Sequence, residues 1–228
     1  MEDKEYEEMG DEEYEKCEKY EQMKEENKKK KWEINKKLME VTGHADEFTC
    51  QLLVGNEGAD PNMMLRCAAS LGYEEMCQLA VDLGADDFNG MLFEAALFNH
   101  EELCHLAKNW GADNFDFMLR YAALGNNENL CRLAKKWGAT YYDGMLGAAA
   151  LQGNVKLCLL AKDWGATNFN FMMSAAATRN HESLCRLAKK WGSYAFDTMR
   201  EAAEKAGNDD LVRLAEKWKR KDILKTFY

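Results

Sequence analysis

The sequence holds few side chains spaced for chemistry. His100-Glu101-Glu102-Leu103-Cys104-His105 comes nearest, because a helical zinc-hydrolase site sets two histidines four residues apart with a glutamate between them as base. Here the histidines are five residues apart. At about 100° per residue they diverge by roughly 140° and cannot hold one ion from one helical face. Asp87-Phe88-Asn89-Gly90 starts like a calcium loop, but Ala85 and Ala96 occupy the first and twelfth loop positions, which need carboxylates. Glycine-rich phosphate loops, dinucleotide glycines and nucleophile elbows do not occur. Five of the eight cysteines, Cys77, Cys104, Cys131, Cys158 and Cys185, recur every 27 residues, with Val212 in the next place. That pattern marks a small apolar slot. Packed helices lie about 8 to 10 Å apart, whereas a disulfide needs Cα atoms about 4.4 to 6.8 Å apart. With no Cys-x-x-Cys and one sulfur per layer, four zinc ligands do not assemble. Buried reduced thiols are therefore expected, with Cys17, Cys50 and Cys67 set outside the column. The chain reads as a non-enzyme with no cofactor, no metal and no small-molecule substrate.

Thirty Lys and Arg stand against forty Asp and Glu in 228 residues, a formal charge of −10, so free nucleic acid is not the default partner. With 46% hydrophobic residues the chain can build a core. One proline, Pro61, leaves helices almost uninterrupted and predicts an all-α chain. No run approaches the roughly 18 apolar residues of a membrane span, and the acidic start is unlike a signal peptide. No membrane association is expected, and the cytoplasm is the expected location, with the nucleus as the alternative. Residues 1–48 carry 10 basic and 17 acidic residues, 49–210 carry 14 and 21, and 211–228 carry 6 and 2. In the first segment Tyr6, Met9, Tyr14, Cys17, Tyr20 and Met23 make too thin a stripe to bury a core. Residues 1–48 thus read as a charged arm, helical or partly disordered. Lys28 to Lys31 form a solvated face, with a nuclear-import signal over Asn27 to Trp32 as the alternative.

An internal repeat organises the remainder. Gly84, Gly111, Gly138, Gly165 and Gly192 are 27 residues apart and each follows Leu83, Trp110, Trp137, Trp164 or Trp191. Gly58 opens a copy one residue short, so six copies run from Gly58 to Trp218, preceded by a half-copy from Thr49. Each copy predicts two short helices. The column Asn62, Asn89, Asp116, Asp143, Asn170 and Asp197 is expected to cap the first helix. That helix carries Met64, Met91, Met118, Met145, Met172 or Met199, then an Ala-Ala pair, and ends at Gly72, Asn99, Asn126, Gly153, Asn180 or Gly207. The second helix opens at Tyr73, His100, Asn127, Asn154, His181 or Asn208 and presents Leu, Cys, Leu, Ala and Trp on one periodic face. Stacked αα-hairpins of this kind make a solenoid.

The Ala-Ala pair, the Gly153-Asn154 type of corner and the Gly58-Ala59-Asp60-Pro61-Asn62 connection resemble the ankyrin repeat over about Thr49 to Trp218. The family's unit is about 33 residues with a β-turn finger opening on Thr-Pro-Leu-His. Here the unit is 27 and that tetrapeptide is absent, so about six residues, the finger, are missing. The resemblance implies stacked helix pairs, a structural hydrogen bond for His100 and His181, and a first helix lining a concave face. Shortened units punctuated by Trp-Gly-Ala are also similar to ankyrin-like proteins of large DNA viruses, which implies a host regulatory protein or a virion component as partner.

Columns that change are where a partner can be distinguished. On and before the first helix these hold Phe93, Glu94, Phe117, Arg120, Tyr121, Tyr141, Phe171 and Tyr194, the composition of an interface centre. Gly90, Phe117, Gly144 and Phe171 also alternate small and large in one column, as packing between units would. On the second helix, His105, Arg132, Arg186 and Arg213 share a column. Lys108, Lys135, Lys162 and Lys189 share another, and Lys136, Lys190 and Lys217 a third. With Lys219, Arg220 and Lys221 they form a basic stripe that could follow a phosphate backbone. The expectation is an all-α ankyrin-like solenoid over 49–218 with a basic tail over 219–228. It would bind a protein partner through its first helices, with a particle-forming role or nucleic-acid binding as alternatives.

Overall fold

The computed structural model describes residues 11–225. Among the described residues there are fourteen helices and no strand. The chain divides into two compact units, Met1–Asp86 and Asp87–Tyr228. The first contains α1 (Asp11–Gly43), α2 (Glu47–Glu57), α3 (Pro61–Leu71) and α4 (Glu74–Asp82). The second contains α5 (Phe88–Phe98), α6 (Glu101–Trp110), α7 (Phe115–Leu124), α8 (Glu128–Lys136), α9 (Tyr142–Leu151), α10 (Val155–Trp164), α11 (Phe169–Thr178), α12 (Glu182–Lys190), α13 (Phe196–Lys205) and α14 (Asp209–Lys225). Within each unit consecutive helices pair as hairpins, and successive first helices (α5, α7, α9, α11, α13) pack side by side.

The corners follow from residue types. Asn99, Asn126 and Asn180 adopt φ of 58° to 70° at the ends of α5, α7 and α11, a left-handed conformation that Asn tolerates better than other side chains. Glycine serves elsewhere, and at Gly153 for a second reason. Its φ is 74°, and a Cβ there would come within 2.7 Å of the His181 ring, whose Nε2 lies 3.1 Å from the Leu151 carbonyl. Asn127, Asn154 and Asn208 cap the second helices, each accepting at 3.0 Å from the amide three residues on. Met64, Met91, Met118, Met145, Met172 and Met199 are fully buried, with paired alanines beside them. Each buried methionine of this kind is worth about 1.5 to 3 kcal/mol.

One expectation is corrected. The caps of the first helices are Asp60, Asp87, Asn114 and Asn168, two residues before the expected column. The column itself reaches outward to the following hairpin. In the first unit Asn62 Oδ1 accepts from the Asp86 amide at 2.9 Å. In the second, Asn89 accepts from the amides of Asp113 and Asn114 at 3.1 and 3.0 Å. Asp116 accepts from Thr140 and Tyr141 at 2.6 and 2.8 Å, and Asp143 from Thr167 and Asn168 at 2.8 Å each. Asn170 accepts from Tyr194 at 3.0 Å. On α3, α5, α7 and α11 the true cap already serves an amide of the first turn, and the column side chain satisfies those of the next loop; on α9 the cap position, Tyr141, makes no side-chain bond and Asp143 still reaches outward.

The same geometry extends back into α1. Asn35 Oδ1 accepts from the Asp60 amide at 2.8 Å, while Leu38, Cys50 and Leu53 are buried in the first unit. Cys50 lies 27 residues before Cys77 and so belongs to the thiol column from which sequence excluded it. All seven described cysteines are free. Burial pushes the thiols of Cys77, Cys104, Cys131, Cys158 and Cys185 up to about 12. Four of these sulfurs rest 3.7 to 4.0 Å from a carbonyl twelve residues earlier, where the S–H donates weakly.

Candidate functional site

The first-helix side of the second unit presents the aromatic residues singled out by the sequence. Phe93 on α5 lies parallel to Tyr121 on α7, with ring centroids 5.4 Å apart and planes 10° apart, and 5.5 Å from Phe117. The three form one ring group across two hairpins, stacked at Tyr121 and tilted at Phe117, with Arg120, next to Tyr121 in the chain, exposed and Glu94 half-buried. Tyr141 lies over Gly144 and Phe171 over Gly147, so closely that a Cβ at either glycine would overlap the ring. The small members of these columns are therefore seats for aromatic rings, and Phe171 is seated on Gly147 of the preceding hairpin. Packing leaves these rings partly uncovered. Phe117, Phe171 and Tyr141 keep 43, 44 and 51% of their surface exposed, and Tyr194 keeps 71%. Phe98, at the end of α5, is also 52% exposed, in a column that changes from copy to copy (Leu71, Gly125, Gln152, Arg179 and Ala206). Held rings with one face outward offer apolar area at little entropic cost.

The second-helix side is organised differently. Each column lysine lies over the indole of the following hairpin: Lys108 is 4.5 Å from Trp137, Lys135 is 4.4 Å from Trp164, Lys162 is 5.1 Å from Trp191, and Lys189 is 5.0 Å from Trp218. Arg132 and Arg186 lie 6.0 and 5.8 Å from Trp164 and Trp218, and His105 is 5.0 Å from Trp137. Arg132 also pairs with Glu128 at 2.8 Å and Arg186 with Glu182 at 2.5 Å. Lys156 reaches Glu128 at 2.6 Å, and the two cations hold its carboxyl below the usual range. At the end of the stripe Lys219 grips Asp197 at 2.7 and 2.9 Å, and Arg220 lies 3.5 Å from Glu216. Lys136, Lys190 and Lys221 are exposed. The lysine column thus touches the next hairpin's indoles, and Arg132, Arg186 and Arg220 pair with carboxylates of their own helices, while most of the stripe stays exposed to solvent.

The tryptophans have a further partner that sequence reading passed over. Phe88, Phe115, Tyr142, Phe169 and Phe196, the first residue of each first helix, meet the tryptophan of their own hairpin at centroid distances of 5.4 to 6.1 Å. An aromatic in the same place every 27 residues was the available signal. A recess of about 490 Å³ lies between α13 and α14 and is bordered by the Lys219–Asp197 pair. Among the described residues no three His, Cys, Asp or Glu side chains converge as metal ligands. Among them too, no helix is long and apolar enough to cross a membrane. Compared with models of protein families and with curated proteins, the chain finds no match.

Proposed function

We propose that the chain is a non-enzymatic protein-interaction module, a shortened ankyrin-like array without the finger, that binds its partner through the aromatic side of its first helices. The observation that carries this reading is the set of half-exposed rings of Phe117, Tyr141 and Phe171, seated on neighbours yet open on one face. Rigid aromatic area beside one arginine is what the centre of a protein interface uses. The basic stripe supports nucleic-acid binding less, because its Arg and Lys columns already lie on indoles and carboxylates. By resemblance, the proposed setting is a large DNA virus, with a host regulatory protein as partner in the host cytoplasm and a particle-forming role as the alternative.

The test is affinity capture from cells with the intact chain and a Phe117→Ser, Tyr121→Ala, Phe171→Ser variant of unchanged helicity, each washed at low and high salt. A stoichiometric protein that survives high salt and is lost with the variant supports the proposal. Nucleic acid recovered from both versions at low salt alone transfers the function to the second-helix side, since counterion release makes such binding steeply salt-dependent.

A further inference from the structure

We propose that the outward side of α2 is a self-association surface, on which a second copy of the chain lays its own α2 antiparallel, so that Phe48 of each copy rests on Gly55 of the other. Among the described residues no hairpin is stacked before the one that α1 and α2 form, and the open side of such an array is expected to turn polar. On α1 it does. Twenty-seven residues before Met64, the buried methionine column holds Lys37, which is exposed, while Leu38 beside it stays in the core. On α2 the exchange runs the other way. The column that holds Glu75, Glu102, Asn129, Lys156, Ser183 and Asp210, all exposed, holds Phe48, exposed at 70%. Seven residues on, a column of Asp, Asn or Lys in every later copy holds Gly55. Between them Leu52 keeps 39% of its surface exposed.

Nothing within the chain calls for that glycine. Gly55 lies inside α2 without a left-handed φ, and a Cβ there would meet nothing within 4 Å, so the helix carries a poor helix former for no gain of its own. A second copy supplies the gain. Positions 48, 52 and 55 fall within about 60° of one another around the helix, opposite the buried Cys50 and Leu53, and their spacing of four and three is that of a packed helical seam. A two-fold axis midway between residues 51 and 52 brings position 48 of each copy to position 55 of the other, so the contact is made twice. Each ring then has the kind of seat that Tyr141 has on Gly144 and Phe171 on Gly147. At the centre Leu52 of each copy meets Gln51 of the other. Two helices of 11 residues bury less than the roughly 1,200 Å² of a durable interface, so the pair is weak. Asp46, Glu47 and Glu57, all exposed, stand at its two ends, so salt tightens the pair by screening like charges.

The experiment is sedimentation equilibrium of the intact chain from about 10 μM to about 1 mM, at about 20 and about 500 mM salt. It is repeated with Phe48→Glu, which brings in the residue type of position 75, and with Gly55→Ala, helicity and melting at the lowest concentration being checked for each. The expected result is a dimer that forms toward the top of the range and is held at least as tightly at high salt. Phe48→Glu is a monomer throughout. Gly55→Ala melts higher, as the better helix former, yet its dimer dissociates at least about tenfold more readily, because the added Cβ fills the seat of the ring. A chain that stays monomeric to about 1 mM overturns the proposal. So does a dimer that high salt dissolves, or one that either variant leaves intact. None of these outcomes depends on the aromatic side of the second unit.

Discussion

Asp116 carries a junction between two hairpins on one oxygen atom, which accepts from the amides of both Thr140 and Tyr141. Asp116→Ala leaves both amides without that acceptor and should cost about 1 to 3 kcal/mol. Asp116→Asn keeps a carbonyl oxygen there, as Asn89 does for Asp113 and Asn114, and should cost clearly less. Denaturant midpoints of the two variants check the order. Four of the junctions carry one carboxylate each, the fifth, Asn170 with Tyr194, none. Where Asn stands in the clamp, as at Asn62 and Asn89, its Nδ2 donates to the carboxylate of Asp86 or Asp113; where Asp stands there, the following residue is Thr140 or Thr167. At the thiols, burial disfavours the thiolate and pushes Cys77, Cys104, Cys131, Cys158 and Cys185 from about 9 in the unfolded chain up to about 12. Above pH 9 the unfolded chain sheds protons that the folded chain keeps. Stability is therefore complete below that pH and falls as pH rises toward 12, by up to about 1.4 kcal/mol per pH unit for each thiol. Cys131→Val, the residue type already present at position 212, should flatten the slope by one such increment. Urea midpoints from pH 8 to 11 measure it, and an unchanged slope would show that the thiol does not contribute.

At the scale of the elements, two adjacent lysines at the end of α8 have different work. Both are exposed, but Lys135 lies over Trp164 and Tyr142 of the next hairpin at 4.4 and 5.4 Å, whereas Lys136 has no such ring contact. Lys135→Ala should cost about 0.5 to 1 kcal/mol or more, and Lys136→Ala less than about 0.5. Leu130→Ala, in the buried face of the same helix, should cost about 2 to 5. Equal shifts in thermal melting for the three would overturn this assignment of faces. The hairpins were legible because a period of 27 repeats both the apolar face and the Asn or Gly corner. What was not legible was direction. The column at Asp116 has cap chemistry wherever it stands, and only the backbone reveals that the next loop, rather than its own helix, offers the open amides. Likewise the lysine column reads as a surface stripe because spacing along one helix cannot register an indole arriving from its neighbour. The rings of Phe93, Phe117 and Tyr121 were found as variable positions, but their stacking crosses from one hairpin to the next and leaves no mark in either alone.

At the scale of the whole molecule, each unit rests on hairpins that bury surface against their neighbours, so removing a segment should cost what that segment buries and little else. The first unit makes a sharp test, because α1 changes character along its length. Its residues 19–33 bury nothing, while Asn35, Leu38 and Thr42 enter the core or the junction with Asp60. A chain starting at Trp32 loses, among the described residues, only the exposed stretch 19–31 and should melt within about a degree or two of the intact protein, since changes away from buried features stay within about 0.5 kcal/mol. A chain starting at Ala45 also loses Leu38 from its buried place, removes Thr42 from Cys50, 3.6 Å away, and leaves the Asp60 amide without Asn35. Leu38 alone is worth about 2 to 5 kcal/mol by analogy with large-to-small changes. The first unit should therefore unfold well before the second, giving two thermal transitions where the longer truncate gives the intact pattern. Protease sensitivity confined to residues before Asp86 would identify the early transition. If both truncates melt alike, the end of α1 is no part of the first unit's core, and the clamp from Asn35 to Asp60 does not carry load.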